Sequence, residues 1–464
     1  MSHQIRKQIH LGAHFPGVNN TTVWSDPRSG SQIDFASFEH LARTAEEAKF
    51  DFFFLAEGLR LREHKGRVYE HDVVGRPDTF PVLAALAAVT DRLGLVGTIN
   101  ATFNEPYELA RQFASLDHLS RGRAAWNLVT SSDAFHGANF RRGGFLDHAD
   151  RYRRAGELIE VVRQLWDSWD GDAVTPDPAS GSFVRPGSVR PFAHRGPQFD
   201  VRGTFGTPRS PQGHPVLFQA GDSSEGRDLA ARDADVVFTA HSTVEAGQAF
   251  YSDVKGRLAA HGRRPEDLLI LPAVTVVLGD SAGEARDRAR HIREQQISGP
   301  NAIAFLEQIW GRDLTAHDPE GPLPAEDPDD ENVSITRGRV RHHRDPAALA
   351  RQYRELAEAN GWSIRELVIQ VGDRGGFVGT PQQVADEIDA AVQADACDGY
   401  ILVPHLTPGG LDDVARQVVP LLQERGSFRA DYSGPTLRDH LGLGPARPAR
   451  RSGGGGAVRQ QVAR

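Results

Sequence analysis

The sequence predicts a (β/α)8 TIM barrel, an α/β fold of eight parallel strands wrapped in helices. Three observations carry that expectation. Short apolar runs of buried-strand type recur eight times along 464 residues, and most lead into segments of helical period. No GxGxxG follows any run, which removes the main sign of an open dinucleotide-binding sheet.

In chain order, residues 8–15 (QIHLGAHF) read as the first strand, and 37–50 as a helix with Phe38, Leu41, Ala42, Ala45 and Ala48 near one face. The run 50–57 (FDFFFLAE) is continuously apolar, as a strand covered on both faces must be, and ends in a carboxylate. A helix is expected at 78–92, a strand at 93–99, a helix at 105–120 and a strand at 124–131. The long helix 147–169 follows, then strand 215–221, helix 224–234, strand 235–240, helix 243–261 and strand 268–279. Strand 399–404 and helix 411–425 complete the set.

Two stretches break the rhythm. Residues 171–213, rich in Gly, Pro, Ser and Arg, are expected as loop and hairpin inserted before the fifth strand. After the seventh strand, 315–345 carries seven acids and no base between Asp318 and Glu331, then the basic run RGRVRHHRD; a loop this long in a barrel is expected to act as a lid. One barrel domain spanning 1–443 is therefore expected, with a disordered arginine- and glycine-rich tail at 445–464.

Composition narrows the function. With 62 acids against 53 bases the chain carries a formal charge of −9, which disfavours a nucleic-acid partner. Cys397 is the single cysteine, so thiolate zinc sites and intrachain disulfides are out. No apolar leader and no run of about 18 apolar residues occurs, so neither export nor a membrane span is expected, and the cytoplasm is the expected location. No metal site is expected: HExxH is missing, His342 and His343 would point apart, and Asp327, Asp329 and Asp330 lack the glycine of a calcium loop.

In such a barrel the active site sits at the C-terminal ends of the strands. The residues there are His14, Glu57, Thr98 with Asn100, Asn127 with Thr130 and Ser131, Asp222 with Ser223 and Ser224, and His405, interleaved with Phe15, Phe54, Phe103 and Trp126. A few polar groups in an aromatic wall suit a flat, partly apolar ligand such as a flavin. The turn QAGDSSEG runs from strand into helix through Gly221 and Gly226, where free N–H groups at a helix start can hold a phosphate; ordinary serine capping is the alternative. His148 and Tyr152, four apart on the preceding helix, share a face that could add donors to the same anion. Glu57 is either a general base or only a hydrogen-bonding partner for a ligand. Cys397, at an Ala-rich helix end, reads as a small hydrophobe.

The segments KFDFFFLAEGL, LAALAAVTDRLGLVGTINATFNEPYELARQFASLDHLSRGRAAWNLVTSS, NFRRGGFLDHADRYRRAGELIEVVRQLWDSW and PVLFQAGDSSEGRDLAARDADVVFTA resemble the flavin-dependent monooxygenases of the bacterial luciferase-like superfamily, in the branch of nitrilotriacetate and dibenzothiophene-sulfone monooxygenases. The resemblance runs from about residue 8 to about residue 443. It implies a two-component enzyme. Reduced FMN (FMNH2) would arrive from a separate NAD(P)H:flavin reductase and react with O2 to a C4a-hydroperoxide, which oxidises a small substrate next to nitrogen or sulfur. The flavin contacts it implies are Glu57, Thr98, His148, Tyr152, Ser223 and Ser224; His14, Asn100 and Trp126 are the candidates for the ring and substrate wall. Relatives often carry Asp where Glu57 stands and Ser where Asp222 stands. A carboxylate at Asp222 facing inward would repel phosphate, so its side chain is expected to turn outward. A homodimer or homotetramer is implied by the resemblance alone. A deazaflavin-dependent oxidoreductase of the same superfamily and a flavin-binding protein without turnover are the alternatives.

Overall fold

The computed structural model describes residues 6–17, 22–70, 75–131, 134–140, 148–241, 243–329, 336–337, 345–372 and 375–448. Eight strands close into a parallel barrel: β1 (His10–Phe15), β2 (Phe52–Leu55), β3 (Gly94–Asn100), β4 (Ala124–Val129), β5 (Val216–Gln219), β6 (Val236–Thr239), β7 (Leu269–Leu278) and β8 (Gly399–Leu402). Each strand pairs with the next in chain order, and β8 returns to β1 with Gly399 level with His10 and Leu402 level with Ala13. The eight expected strands are all present, most of them trimmed at their ends, the third shifted by one residue to end at Asn100.

Seven helices pack outside: α1 (Phe35–Glu47), α2 (Thr79–Val89), α3 (Pro106–Leu119), α4 (His148–Trp166), α5 (Ser224–Asp233), α6 (Val244–Arg257) and α7 (Pro381–Gln393). Their starts follow local chemistry. Asp78 accepts from the Phe80 N–H at the head of α2, Pro106 opens α3, and Thr380 with Gln383 forms a reciprocal cap on α7. The expected helix at 411–425 is instead a single turn (Gly409–Leu411) and two short helices, Asp412–Gln417 and Val419–Glu424, the second with Pro420 in its first turn. The proline has no N–H to continue the first helix, so the chain breaks there. Likewise α6 ends at Arg257, and 258–261 tightens into a 3-10 turn.

Both interruptions are present. Before β5 lie two hairpins, Val174–Asp177 with Ser182–Val184 and Phe192–Arg195 with Asp200–Gly203. After β7 the insertion is far more helical than the 315–345 loop alone: Ala282–Gln296, Gly299–Trp310, Pro346–Asn360 and Ile364–Val371 precede the short strand Gly376–Gly379, which pairs with the upper half of β7. Trp310, Leu306, Ala350, Ile364 and Val368 give three of these helices a core of their own. Within the expected lid, Thr336–Arg337 pairs with Glu63–His64 of a hairpin following β2, and the buried Glu307 carboxylate reaches His64 at 2.6 Å and Lys65 at 2.7 Å. Residues 330–335 and 338–344, and the expected tail from 449 on, lie outside the described residues. No helix among the described residues is long and apolar enough to cross a membrane.

The strand period of two divides side chains into two cores. Outward-facing Leu11, Phe15, Phe53, Leu95 and Leu402 pack under the helices. Inward-facing Phe52, Phe54, Val96, Ala125, Phe218, Leu271 and Ile401 fill the barrel, and Leu437, Leu441 and Leu443 from the C-terminal segment join this inner cluster. Arg438 holds that segment in place, donating to the Asp235 carboxylate at 2.7 Å and to the His214 carbonyl at 3.2 Å. The barrel is thus closed from below and open above, which leaves its C-terminal mouth for chemistry. Leu437→Ala removes a fully buried anchor of this plug and is expected to cost about 2–5 kcal/mol of unfolding free energy, read by denaturant titration.

Candidate active site

Five adjacent strands deliver polar groups to the mouth. On β3, Thr98 and Asn100 share the inward face with Val96, and Thr98 lies level with Asn127 of β4. The Asn127 amide donates to Thr98 Oγ1 at 2.9 Å, which leaves the Asn127 Oδ1 buried without a protein partner. Two residues up, Asn100 holds Glu57: its backbone N–H donates to Glu57 Oε2 at 3.0 Å, and its Nδ2 lies 3.2 and 3.1 Å from the two carboxylate oxygens. Asn100 is fixed in turn, accepting at Oδ1 from the Phe103 N–H (2.8 Å) and at its carbonyl from the Asn104 amide (2.8 Å).

Burial dominates the electrostatics. It pushes the Glu57 carboxyl up from 4.5 to about 7 against the lowering pull of the Asn100 bonds, with Asp78 adding a further push. His14, stacked on Phe54 with centroids 5.4 Å apart, is driven the other way, to about 3, by burial and then by the Arg76 charge. Its Nδ1 is buried without a partner. The mouth near neutral pH therefore holds a neutral imidazole and a carboxyl poised to take or release a proton.

The turn after β5 is built for close backbone approach. A Cβ on Gly221 would stand 2.4 Å from Gln219 Nε2 and 2.8 Å from Tyr152 Oη, and one on Gly226 would stand 2.8 Å from the Gly221 carbonyl carbon. Gly226 is required because its contact is backbone, whereas at Gly221 the ends of the Gln219 and Tyr152 side chains would have to give way; the turn lies directly against Tyr152 of α4. Ser223 is the N-cap of α5, its Oγ accepting from the Gly226 N–H at 3.1 Å, and Ser224 is the first, exposed residue of that helix. Asp222 does turn outward, as its charge requires: it is exposed and pairs with Arg227 at 2.8 Å.

The expected residues therefore fall into two groups. His14, Glu57, Thr98 and Asn100 converge on the β1–β3 side, and Tyr152, Ser223 and Ser224 gather at the α4–α5 turn. His148 begins α4, but its side chain lies outside the described residues. Trp126 belongs to neither group. It sits one residue out of phase with Asn127, so it faces the helices, where its ring lies 5.4 Å from Phe113 and its indole N–H donates to the Ile99 carbonyl at 2.9 Å. As a wall of the site it is corrected: strand alternation puts it in the outer core. Two residues were missed. Gln219, outward-facing at the end of β5 with Oε1 buried and unpartnered, is betrayed only by the QAG turn. Arg76 comes from the loop between β2 and α2, and its Nη1 and Nη2 donate to the carbonyls of Phe15 (3.2 Å) and Pro16 (3.0 Å) at the top of β1.

A closed parallel barrel with a glycine-lined strand-to-helix turn and a buried carboxyl at its mouth has the layout of a barrel enzyme. The family model for luciferase-like monooxygenases matches residues 17–397, and the chain belongs to that family. It is 40% identical over 462 residues to nitrilotriacetate monooxygenase component A of Aminobacter aminovorans, with 95% of this chain and 97% of the relative covered. To N-acetyl-S-(2-succino)cysteine monooxygenase of Bacillus subtilis (strain 168) it is 39% identical over 444 residues, covering 94% and 97%. The crystal structure of riboflavin lyase RcaE, with modified FMN and riboflavin, superposes with a TM-score of 0.76 at 29% identity, covering 94% of this chain and 96% of that one.

The raised carboxyl makes a stability prediction. A pKa higher in the folded chain than in the unfolded one means the folded state binds the proton more tightly, so Glu57's contribution is fully present below pH 4.5 and is lost as pH rises through about 7. Between these values, Tm of Glu57→Gln is expected to fall less steeply with pH than that of the natural protein, at constant ionic strength. Parallel slopes would show that the carboxyl titrates normally.

Proposed function

We propose that this chain is the oxygenase of a two-component system, taking reduced FMN from a separate NAD(P)H:flavin reductase and inserting one oxygen atom of O2 into a small organic substrate next to nitrogen or sulfur. The observation that carries the reading is the pairing, at one barrel mouth, of the Gly221–Ser223 turn beside Tyr152 with the Glu57–Asn100 carboxyl on the far side of β4. A phosphate-bearing ring system needs both ends. The residues present fit FMN: a glycine-lined turn at a helix start for the phosphate, an apolar wall of Phe54, Phe218 and Phe238, and unpartnered polar atoms on His14, Asn127 and Gln219.

Bound there in reduced form, FMN supplies the electrons that activate O2. The protein's part is positional. Ser223 holds the first turn of α5 so that its remaining N–H groups face outward from the helix start, and Tyr152 offers a hydroxyl beside it. Asn100 fixes Glu57 at the end of β2, where a carboxyl of pKa about 7 can hold or release one proton at working pH. Phe54 and its neighbours exclude water from the ring face.

Two measurements test this. Purified protein, FMN, a flavin reductase, NADH and isotopically heavy O2 are incubated with a panel of thioethers and amines. One heavy oxygen atom per product, only with reduced flavin, is expected; hydride transfer to substrate without O2 uptake would point to the deazaflavin enzymes instead. In anaerobic titration, Tyr152→Phe with Ser223→Ala is expected to weaken reduced-FMN binding about tenfold or more while the chain stays folded. Unchanged affinity would remove the phosphate assignment.

A further inference from the structure

Arg76 is a cation with no counter-charge among the described residues. Among the described residues it makes no ion pair; its two bonds go to neutral carbonyls, Phe15 and Pro16, and its Nε is buried with no acceptor. The charge that acts on it most is another cation, Arg62, and burial lowers the guanidinium to about 10. Asp78, two residues on, is already spent as the cap of α2. Arg76 stands at the top of β1, and its field reaches His14 at the barrel mouth. A guanidinium taken out of water without an anion is costly unless a ligand supplies one, and its free Nε–H is half of the fork that grips a carboxylate side-on.

We infer that Arg76 binds a carboxylate of the substrate, so that the compound oxidised at this site is a small thioether or amine bearing at least one carboxylate. The inference rests on the oxygenase reading for the oxidation, but the anion site stands on Arg76 alone. Holding the substrate by its carboxylate at β1 leaves its apolar part toward Phe54 and the centre of the mouth. The neutral His14 beside it offers a second hydrogen bond without competing for the charge.

The test compares acids with their esters. Thiodiglycolate, iminodiacetate and their dimethyl esters are titrated calorimetrically into the resting protein and into Arg76→Gln and Arg76→Lys. At least one acid is expected to bind about tenfold or more tighter than its ester, with that preference erased in Arg76→Gln and diminished in Arg76→Lys. No acid preferred over its ester in the natural protein, or a preference that survives in Arg76→Gln, overturns the inference. Should Arg76→Gln fail to fold, the natural protein and Arg76→Lys still decide: no acid preferred over its ester in the natural protein, or a preference left undiminished when lysine replaces the fork, overturns it. Reduced-FMN titration of the same preparations separates the two claims, because acid binding through Arg76 in a protein that binds no flavin would sink the oxygenase reading and leave the anion site standing.

Discussion

Closure of the parallel sheet, where β6 meets β7 and β8 meets β1, is the constraint on which everything else depends. A closed barrel has no free edge, and every strand must run in register with both neighbours. Once β3 and β4 pair with Thr98 level with Asn127, every other side chain on each strand is committed to the interior. The lower layers of that interior are apolar and are sealed by Leu437 and Leu441. Polar side chains are then tolerable only at the upper end, where a ligand or solvent can complete their hydrogen bonds.

The polar residues at the mouth are satisfied in pairs and left incomplete in a pattern. Asn127 spends its amide hydrogens on Thr98 but not its oxygen, Gln219 likewise keeps a bare oxygen, and His14 keeps a bare ring nitrogen. Each such buried atom costs about 1–3 kcal/mol when unmet. At the mouth these atoms are ones that a polar ligand could complete. At the base of the barrel the buried carboxylates are held by protein donors instead: Asp117 takes bonds from Ala124 and twice from Gln212, and Asp51 accepts from the Leu11 N–H and pairs with His10 and Arg429.

Much of this was legible in the sequence because strand ends are local signals. An apolar run stopping at Glu57, at Asn100 or at the QAG turn announces both the strand and the polar group it delivers. Trp126 shows where that reasoning fails: a strand's end says which residues are near the mouth, but only the phase of the alternation says which face it, and AAWNLV is apolar on both faces except at Asn127. Arg76 failed for a different reason. It lies in a Gly-Pro loop with no periodicity, and its place on the carbonyls of β1 comes from that loop, after β2, crossing back over the neighbouring strand. Around the loop expected at 315–345, the helices of the insertion after β7 went unread because they pack on one another around Trp310, a core that no barrel pattern anticipates.

The charges at the mouth are also arranged in sequence along its rim. Asp222, the carboxylate nearest the anion turn, is drawn outward by Arg227, which is itself shared with Asp253 and lies over the Phe250 ring. The α5 end thus keeps its partial positive charge unopposed by that side chain. At the β1–β2 end the positive charge is fixed on Arg76, His14 stays neutral, and Glu57 alone changes charge near neutral pH. The mouth thus carries a fixed positive charge on Arg76, a partial one at the start of α5, and a carboxyl on Glu57 whose proton is exchanged near neutral pH.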